Sequence, residues 1–395
     1  MKTVYNKGDI TFNVFAFSIV LFLYSSVIKQ LITLPVDITA LSFIVASLSF
    51  CFLDKVVVSR SVMLGCTLFI CVLMISSLYS KSDNVNLYKL LATAPGLILT
   101  MLIMSIDYHK YSFDSFLRFF CFFSIPLSIF FIYILPTLFT GNDSSVERSI
   151  YLSLPFYLSI SAIFSIVAFR NNKFIYISTL SINIFAILIS GARGPLIALV
   201  FCLLLLFSKD MISMVVRKKL AKIIITISVV IFLLFFVYYF DVFSMDVFDR
   251  SWRRLLLLFD GGGNSLSERF YALNMTYEKG FDSYLSIFFG EGLGSFGVIV
   301  YGVDQYYYPH NVPLEILFEM GLMGLFSFAF IIIACSRCVC SNSTYRLFFY
   351  TVLIFVLFNF MKSYSIVGLR LLFPILTISL IFSKYSNKHK EYYND

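Results

Sequence analysis

The sequence predicts an all-α integral membrane protein of about twelve transmembrane helices, with one long polar loop between spans nine and ten. Three observations carry this. Of 395 residues, 59% are hydrophobic and only 13% charged, about half the charged fraction of a soluble domain. Mean hydropathy is +0.90. Apolar runs close to the ~20 residues that cross a bilayer recur along the whole chain. Their continuity excludes a β-barrel, whose strands are short and alternate.

The expected spans cover roughly 11–29, 32–53, 61–79, 88–106, 115–139, 149–169, 174–190, 194–208, 220–240, 312–335, 344–361 and 366–383, each an apolar run bounded by polar or turn residues. Asp37 interrupts the second, and the eighth is short. The chain thus divides into residues 1–240 with nine spans, 241–311 as the polar segment, and 312–395 with three spans and a short tail. No repeat of fixed period is present, which argues against a solenoid.

The net charge of +8 comes from 30 Lys and Arg against 22 Asp and Glu. The basic residues lie in short loops between apolar runs, where they set membrane orientation. No nucleic-acid partner is therefore expected, and the implied surroundings are membrane lipids. With the N-terminus inside, inner loops hold Lys55, Arg60, Lys110, Arg217, Arg337 and Lys384 among others, and these outnumber the outer basic residues. Five of the outer group (Arg250, Arg253, Arg254, Arg269 and Lys279) share the long segment, whose charges orient less. Both termini are expected in the cytoplasm and residues 241–311 outside. The eight cysteines avoid the polar segment, and their spacing suits neither a disulfide framework nor zinc. No cleavable signal peptide is expected, because the first apolar run is long enough to span.

Within the polar segment, residues 243–259 mix basic, aromatic and aliphatic side chains, suiting an interfacial helix with Trp252 at headgroup level. Asp260-Gly261-Gly262-Gly263-Asn264 is a break. Ser265-x-x-Glu268 reads as a capping box for a helix that runs to Lys279 and ends at Gly280. The turn Gly290-Glu291-Gly292-Leu293-Gly294 precedes an aromatic stretch ending Tyr306-Tyr307-Tyr308.

His310 closes the segment. Asn311 can cap the next helix, and Pro313 fits its first turn. A histidine at the positive end of a helix dipole is favoured as the neutral imidazole, which can take a proton from a hydroxyl. An interfacial histidine bonded to the cap is the equal alternative. Glu319 lies two turns into the following span, where a carboxylate is costly unless paired or hydrated. It is a candidate catalytic group, or equally a structural partner of an intramembrane arginine. Gly321 and Gly324, one turn apart, read as a packing pair.

Arg193, in Ser190-Gly191-Ala192-Arg193-Gly194-Pro195, sits on the outer side at a helix start. A guanidinium beside free backbone N–H groups suits a diphosphate. Arg269 starts the capped outer helix, and Arg370 opens the last span. Together the three arginines suggest an anionic substrate near the outer surface. There is no phosphate-binding loop of the nucleotide type, and the Gly290–Gly294 turn lacks the βαβ context of a dinucleotide site. No metal site and no cofactor are expected, so the energy of any reaction must reside in the substrate.

His310-Asn311, nine residues, then Gly321-Leu322-Met323-Gly324 resembles the His-Asn-x9-Gly-x-x-Gly signature of bacterial O-antigen ligases and polymerases. Residues 190–195 resemble that superfamily's arginine turn, and Phe289–Phe296 its glycine motif. The resemblance implies a GT-C-like, metal-independent glycosyltransferase at the periplasmic face of the bacterial inner membrane. Its donor would be an oligosaccharide on undecaprenyl diphosphate, in lipopolysaccharide biosynthesis, with a chain-length regulator protein as partner. Carried over by motif, Arg193 and Arg269 would hold the diphosphate, Arg370 would assist, and His310 would activate the acceptor hydroxyl. Arg269, ten residues, then Gly280 resembles a pattern of polymerase outer loops, so O-antigen polymerase is the preferred expectation. O-antigen ligase, transferring the glycan to lipid A–core, is the alternative. A lipid-linked sugar transporter or flippase is a more distant one; it would bring repeats, broken helices and charges lining the core.

Overall fold

The computed structural model describes residues 7–32, 35–140, 144–168, 173–211, 264–280, 283–339 and 343–385. The helices in order are α1 (Lys7–Leu31), α2 (Ile38–Cys51), α3 (Arg60–Leu78), α4 (Asn84–Ile103), α5 (Asp114–Thr140), α6 (Ser144–Ala168), α7 (Lys173–Ser190), α8 (Arg193–Met211), α9 (Asn264–Lys279), α10 (Tyr284–Phe289), α11 (Val312–Arg337), α12 (Ser343–Lys362) and α13 (Leu369–Tyr385). A π-helical turn occupies Gly297–Tyr301, and a 3-10 turn, Ile366–Gly368, leads into α13. Among the described residues there is no strand, only an isolated antiparallel bridge between Lys55 and Ile106.

Every expected span except the ninth falls on one of these helices. Residues 220–240, the interfacial stretch 243–259 with Trp252, and the glycines 261–263 lie outside the described residues. Among the described residues, seven helices are long and apolar enough to cross a membrane, and four shorter apolar ones accompany them. This is a multi-pass arrangement. Asp37, which interrupts the second apolar run, instead begins α2: its Oδ1 accepts the Thr39 and Ala40 amides at 2.8 and 3.1 Å, an Asx cap. The outer helix α9 ends at Lys279 with Gly280 after it, as its sequence predicts. The Ser265 and Glu268 side chains of the expected capping box lie outside the described ones.

Contacts sort the chain into two units: Met1–Phe15, Val45–Tyr111 and Gly263–Asp395 form one, and Ala16–Ile44 with Ser112–Gly262 the other. In the second unit α5, α6 and α7 pack on one another, and α8 packs on α6 and α7. Small polar groups join them where apolar contact alone gives little drive within lipid. Asn183 Nδ2 donates to Ser124 and Ser161 Oγ at 3.1 and 3.2 Å, and Ser128 donates to Asn183 Oδ1 at 2.8 Å. These four side chains are fully buried.

In the first unit α3 and α4 form a hairpin, α11 packs on α3, α13 on α4, and α12 on α13. Gly96 lets α4 meet α13 backbone to backbone; a Cβ there would stand 2.3 Å from the Arg370 Cα. The span α11 is broken at Gly321, whose φ of 64° and ψ of −164° are not helical. A break strands carbonyl oxygens that an intact helix would satisfy. They are recovered by the glycine turn: Glu291 N donates to Phe318 O at 2.8 Å, and Gly292 N to Glu319 O at 3.0 Å. Ser76 Oγ adds a bond to Glu319 O at 2.7 Å. Irregular backbone inside a span is tolerated when protein covers it in this way. A broken helix is also a feature expected of a transporter, but here it has a local cause in the docked turn. Gly321 is thus more than half of a packing pair. Its positive φ makes the break, and a Cβ would fall 2.4 Å from Phe288 C and O.

Candidate functional site

His310 ends an extended stretch and precedes α11. Its φ of 57° makes it the one non-glycine residue with positive φ among the described residues. Histidine is among the residues that tolerate this region, at a cost that marks positions worth functional attention. The turn is locked on its far side by Asn311, whose Oδ1 accepts the Leu314 amide at 3.0 Å, the cap its sequence predicts. On its near side, the His310 ring lies 4.5 Å from that of Tyr308, which in turn lies 5.4 Å from Tyr306. His310 is half-buried.

Arg269, in the first turns of α9, is half-buried, and its charge reaches Tyr308. Burial pushes that phenol up to about 12, and Glu315 adds to the rise, while Arg269 and Lys89 oppose it. Tyr308 therefore stays a neutral hydroxyl, its ring against that of His310. The end of α9 is anchored too: Lys279 Nζ donates to the Ile299 and Val300 carbonyls at 3.2 Å each. Gly280 gives Phe318 room, since a Cβ there would meet its ring at 2.5 Å. Ala272, Phe296, Val300 and Phe318 form the apolar cluster beneath.

Glu319 is fully buried and ion-paired. Lys89 Nζ lies 2.6 Å from Glu319 Oε1 and 2.5 Å from Glu315 Oε1, all three side chains being without solvent exposure. The expected structural partner was an arginine; the cation is a lysine. Glu315 Oε2 accepts the Ile366 amide at 2.8 Å. Glu319 Oε2 has no hydrogen-bond partner among the described residues.

Arg370 is the second residue of α13, half-buried, and its guanidinium makes no hydrogen bond or ion pair among the described residues. Arg193 belongs to the second unit, where it opens α8 immediately after Gly191, whose φ is 66°. It too is half-buried and without an ion pair among the described residues. The first unit therefore brings His310, Tyr308 and Arg269 into one neighbourhood, with Glu319 behind it in the buried triad. Sequence reasoning missed Lys89, Glu315 and Asp304. For the first two a signal existed, since a lysine early in one span and two carboxylates one turn apart in another need partners.

Fold and site together define a class: a multi-pass helical membrane protein whose polar junction sets a constrained histidine beside a tyrosine that lies in the field of an arginine. Residues 178–329 match the Wzy_C family model, described as O-antigen ligase, and this bears out the resemblance to the O-antigen polymerase and ligase superfamily. The matched region contains Arg193, Arg269, His310 and Glu319, and stops before Arg370. Among curated proteins no match is found.

Proposed function

We propose that the chain is a GT-C-like O-antigen polymerase of the bacterial inner membrane, both termini cytoplasmic. It joins undecaprenyl-diphosphate-linked oligosaccharide units at the periplasmic face. The residues divide at about 240 and 311 into a membrane part, a periplasmic segment carrying half of the chemistry, and a second membrane part. His310 takes the proton of the acceptor hydroxyl as its oxygen attacks the anomeric carbon. The bond to diphosphate breaks, and undecaprenyl diphosphate leaves with the electron pair. Arg193, Arg269 and Arg370 hold the diphosphate, whose linkage supplies the energy, so neither metal nor cofactor takes part. A chain-length regulator protein is the expected partner.

The observation that carries this reading is the His310 junction: a histidine in a strained, capped turn against a neutral tyrosine that also lies in the field of Arg269. The half-buried guanidiniums of Arg193 and Arg370, without an ion pair among the described residues, support an anionic ligand. The matched family is described as O-antigen ligase, so the second reading is a ligase, with lipid A–core as its acceptor. Both readings use the same donor chemistry.

A deletion strain separates them on a lipopolysaccharide gel. A single repeat unit on lipid A–core identifies a polymerase; naked core with polymer still built on undecaprenol identifies a ligase. His310→Ala is expected to lose about 10²-fold or more in transfer, the usual contribution of a general base, at parental membrane abundance. Normal polymer from that variant would sink the mechanism.

A further inference from the structure

We propose that Lys89 is the positioning residue of the His310 junction, acting through Glu315, Glu319 and Tyr306. The proposal rests on His310 being the base. The Lys89 ammonium links three pieces of chain, two directly and one through Glu315. It holds Glu315 and Glu319 in the first turns of α11, which begins two residues after His310. It lies 5.6 Å from the centre of the Tyr306 ring, in the stretch that leads to His310. Through Glu315 Oε2 it reaches the Ile366 amide, four residues before Arg370. The Tyr306 and Ser365 hydroxyls are bonded to each other and close the ring of contacts.

Simple packing does not call for such a cluster. Three charges without solvent exposure are expensive, and apolar side chains of the same volume hold helices together as well or better. This triad also has two carboxylates for one ammonium and leaves Glu319 Oε2 unpartnered among the described residues. What charges add is direction. Glu315 and Glu319 stand one turn apart on one face, so a single cation between them fixes both the rotation and the height of that face. The break at Gly321 gives such an anchor a task. Across the kink the rest of α11 does not fix the rotation of Val312–Met320; the glycine turn and Ser76 hold its Phe318 and Glu319 carbonyls, and Lys89 of α4 holds its side-chain face. A displacement of 1 Å at a reacting group costs on the order of 10²-fold in rate.

The test compares Lys89→Arg and the triple change Lys89→Met, Glu315→Gln, Glu319→Gln with the parent. The triple variant removes the whole charge cluster, so no unpaired ion remains to unfold it. Folded yield, kcat and KM on a lipid-diphosphate oligosaccharide, and hydrogen–deuterium exchange over residues 304–311 are measured. The expected result is near-parental yield, faster exchange in 304–311, and kcat reduced by about 10-fold or more with KM little changed. Parental exchange and kcat overturn the proposal, as does a lower kcat at full yield without faster exchange over residues 304–311. If the triple variant does not fold, Lys89→Arg decides: the charge stays but the compact ammonium geometry does not. Faster exchange and a lower kcat at full yield support positioning; unchanged values overturn it. A parent that turns over no lipid-linked glycan ends the functional reading, while the exchange data still decide whether Lys89 orders the junction.

Discussion

Asp304 caps a helix 220 residues away from it in sequence. Its Oδ2 accepts the Asn84 and Asp83 amides at 3.1 and 3.2 Å, and its Oδ1 bonds the Ser82 hydroxyl, which itself accepts the Val85 amide at 3.1 Å. The first N–H groups of α4, orphaned in any helix, are satisfied in this way by the stretch that leads to His310. The Ser82 hydroxyl, and then the Asn84 amide, hold the Asp304 carboxyl below the ordinary aspartate value. A depressed value has a definite sign. The cap's contribution is complete above the unfolded value of about 3.9 and is lost as pH falls through the lower folded one. Asp304→Ala should therefore lower the unfolding temperature in detergent at neutral pH, and the gap from the parent should close only below about pH 4. Asp304→Asn, which keeps one acceptor oxygen, should lose less. Equal unfolding temperatures for parent and Ala variant at pH 7 would remove Asp304 from the account of how this loop is held.

At the scale of the element, the break in α11 couples the glycine turn to the histidine junction. Gly290, Gly292 and Gly294 all have positive φ, and a Cβ on each would stand within 3 Å of α11, Ser80 or Asn86 backbone. The turn can lie against α11, Ser80 and the start of α4 only because these side chains are absent. Gly321→Ala meets both the φ penalty and a backbone collision, and should destabilise by about 3 kcal/mol or more. Gly302→Ala is the control. Its φ is 73° but nothing lies within 4 Å of its Cβ position, so it should cost only about 1 kcal/mol. Similar losses for the two variants, by thermal unfolding, would mean that the docked turn contributes nothing. These elements also show what the sequence could reveal. The spans were legible because apolar runs report lipid directly, and the Asn311 cap because it closes within three residues. The break was not legible, since the apolar pattern runs on through Gly321 without change. Nor was the Lys89 triad, whose bonds join residues 226 and 230 apart; local pattern carries no record of such pairs. His310 was legible as a junction residue, but its positive φ was not.

At the scale of the molecule, contacts within the first unit sort its loops into two ends. At one end, Ser80 Oγ donates to Leu293 O at 2.6 Å, Lys81 pairs with Glu291, and Tyr306 bonds Ser365. At the other, Val58 N donates to Met104 O at 2.9 Å, Lys384 Nζ to Val58 O at 3.3 Å, and Cys338 bonds Ser59. Between them run α3, α4, α11 and α13, of 17 to 26 residues, about the length that crosses the hydrocarbon at 1.5 Å per residue. The second end is where Lys55, Arg60, Lys110, Arg337 and Lys384 lie, the residues that the sequence assigns to the inside. On the proposed orientation, the charge bias assigns that end to the cytoplasm and the His310 junction to the outside. A single cysteine tests this in a parent freed of its own cysteines. Val303→Cys, at a position 41% exposed, should react with a membrane-impermeant maleimide in intact spheroplasts. Lys110→Cys, exposed at the other end, should react only after permeabilisation. The reverse pattern would put the histidine and arginines in the cytoplasm, where a lipid-linked donor presented to the periplasm could not reach them, and the proposed transfer would fall with the topology.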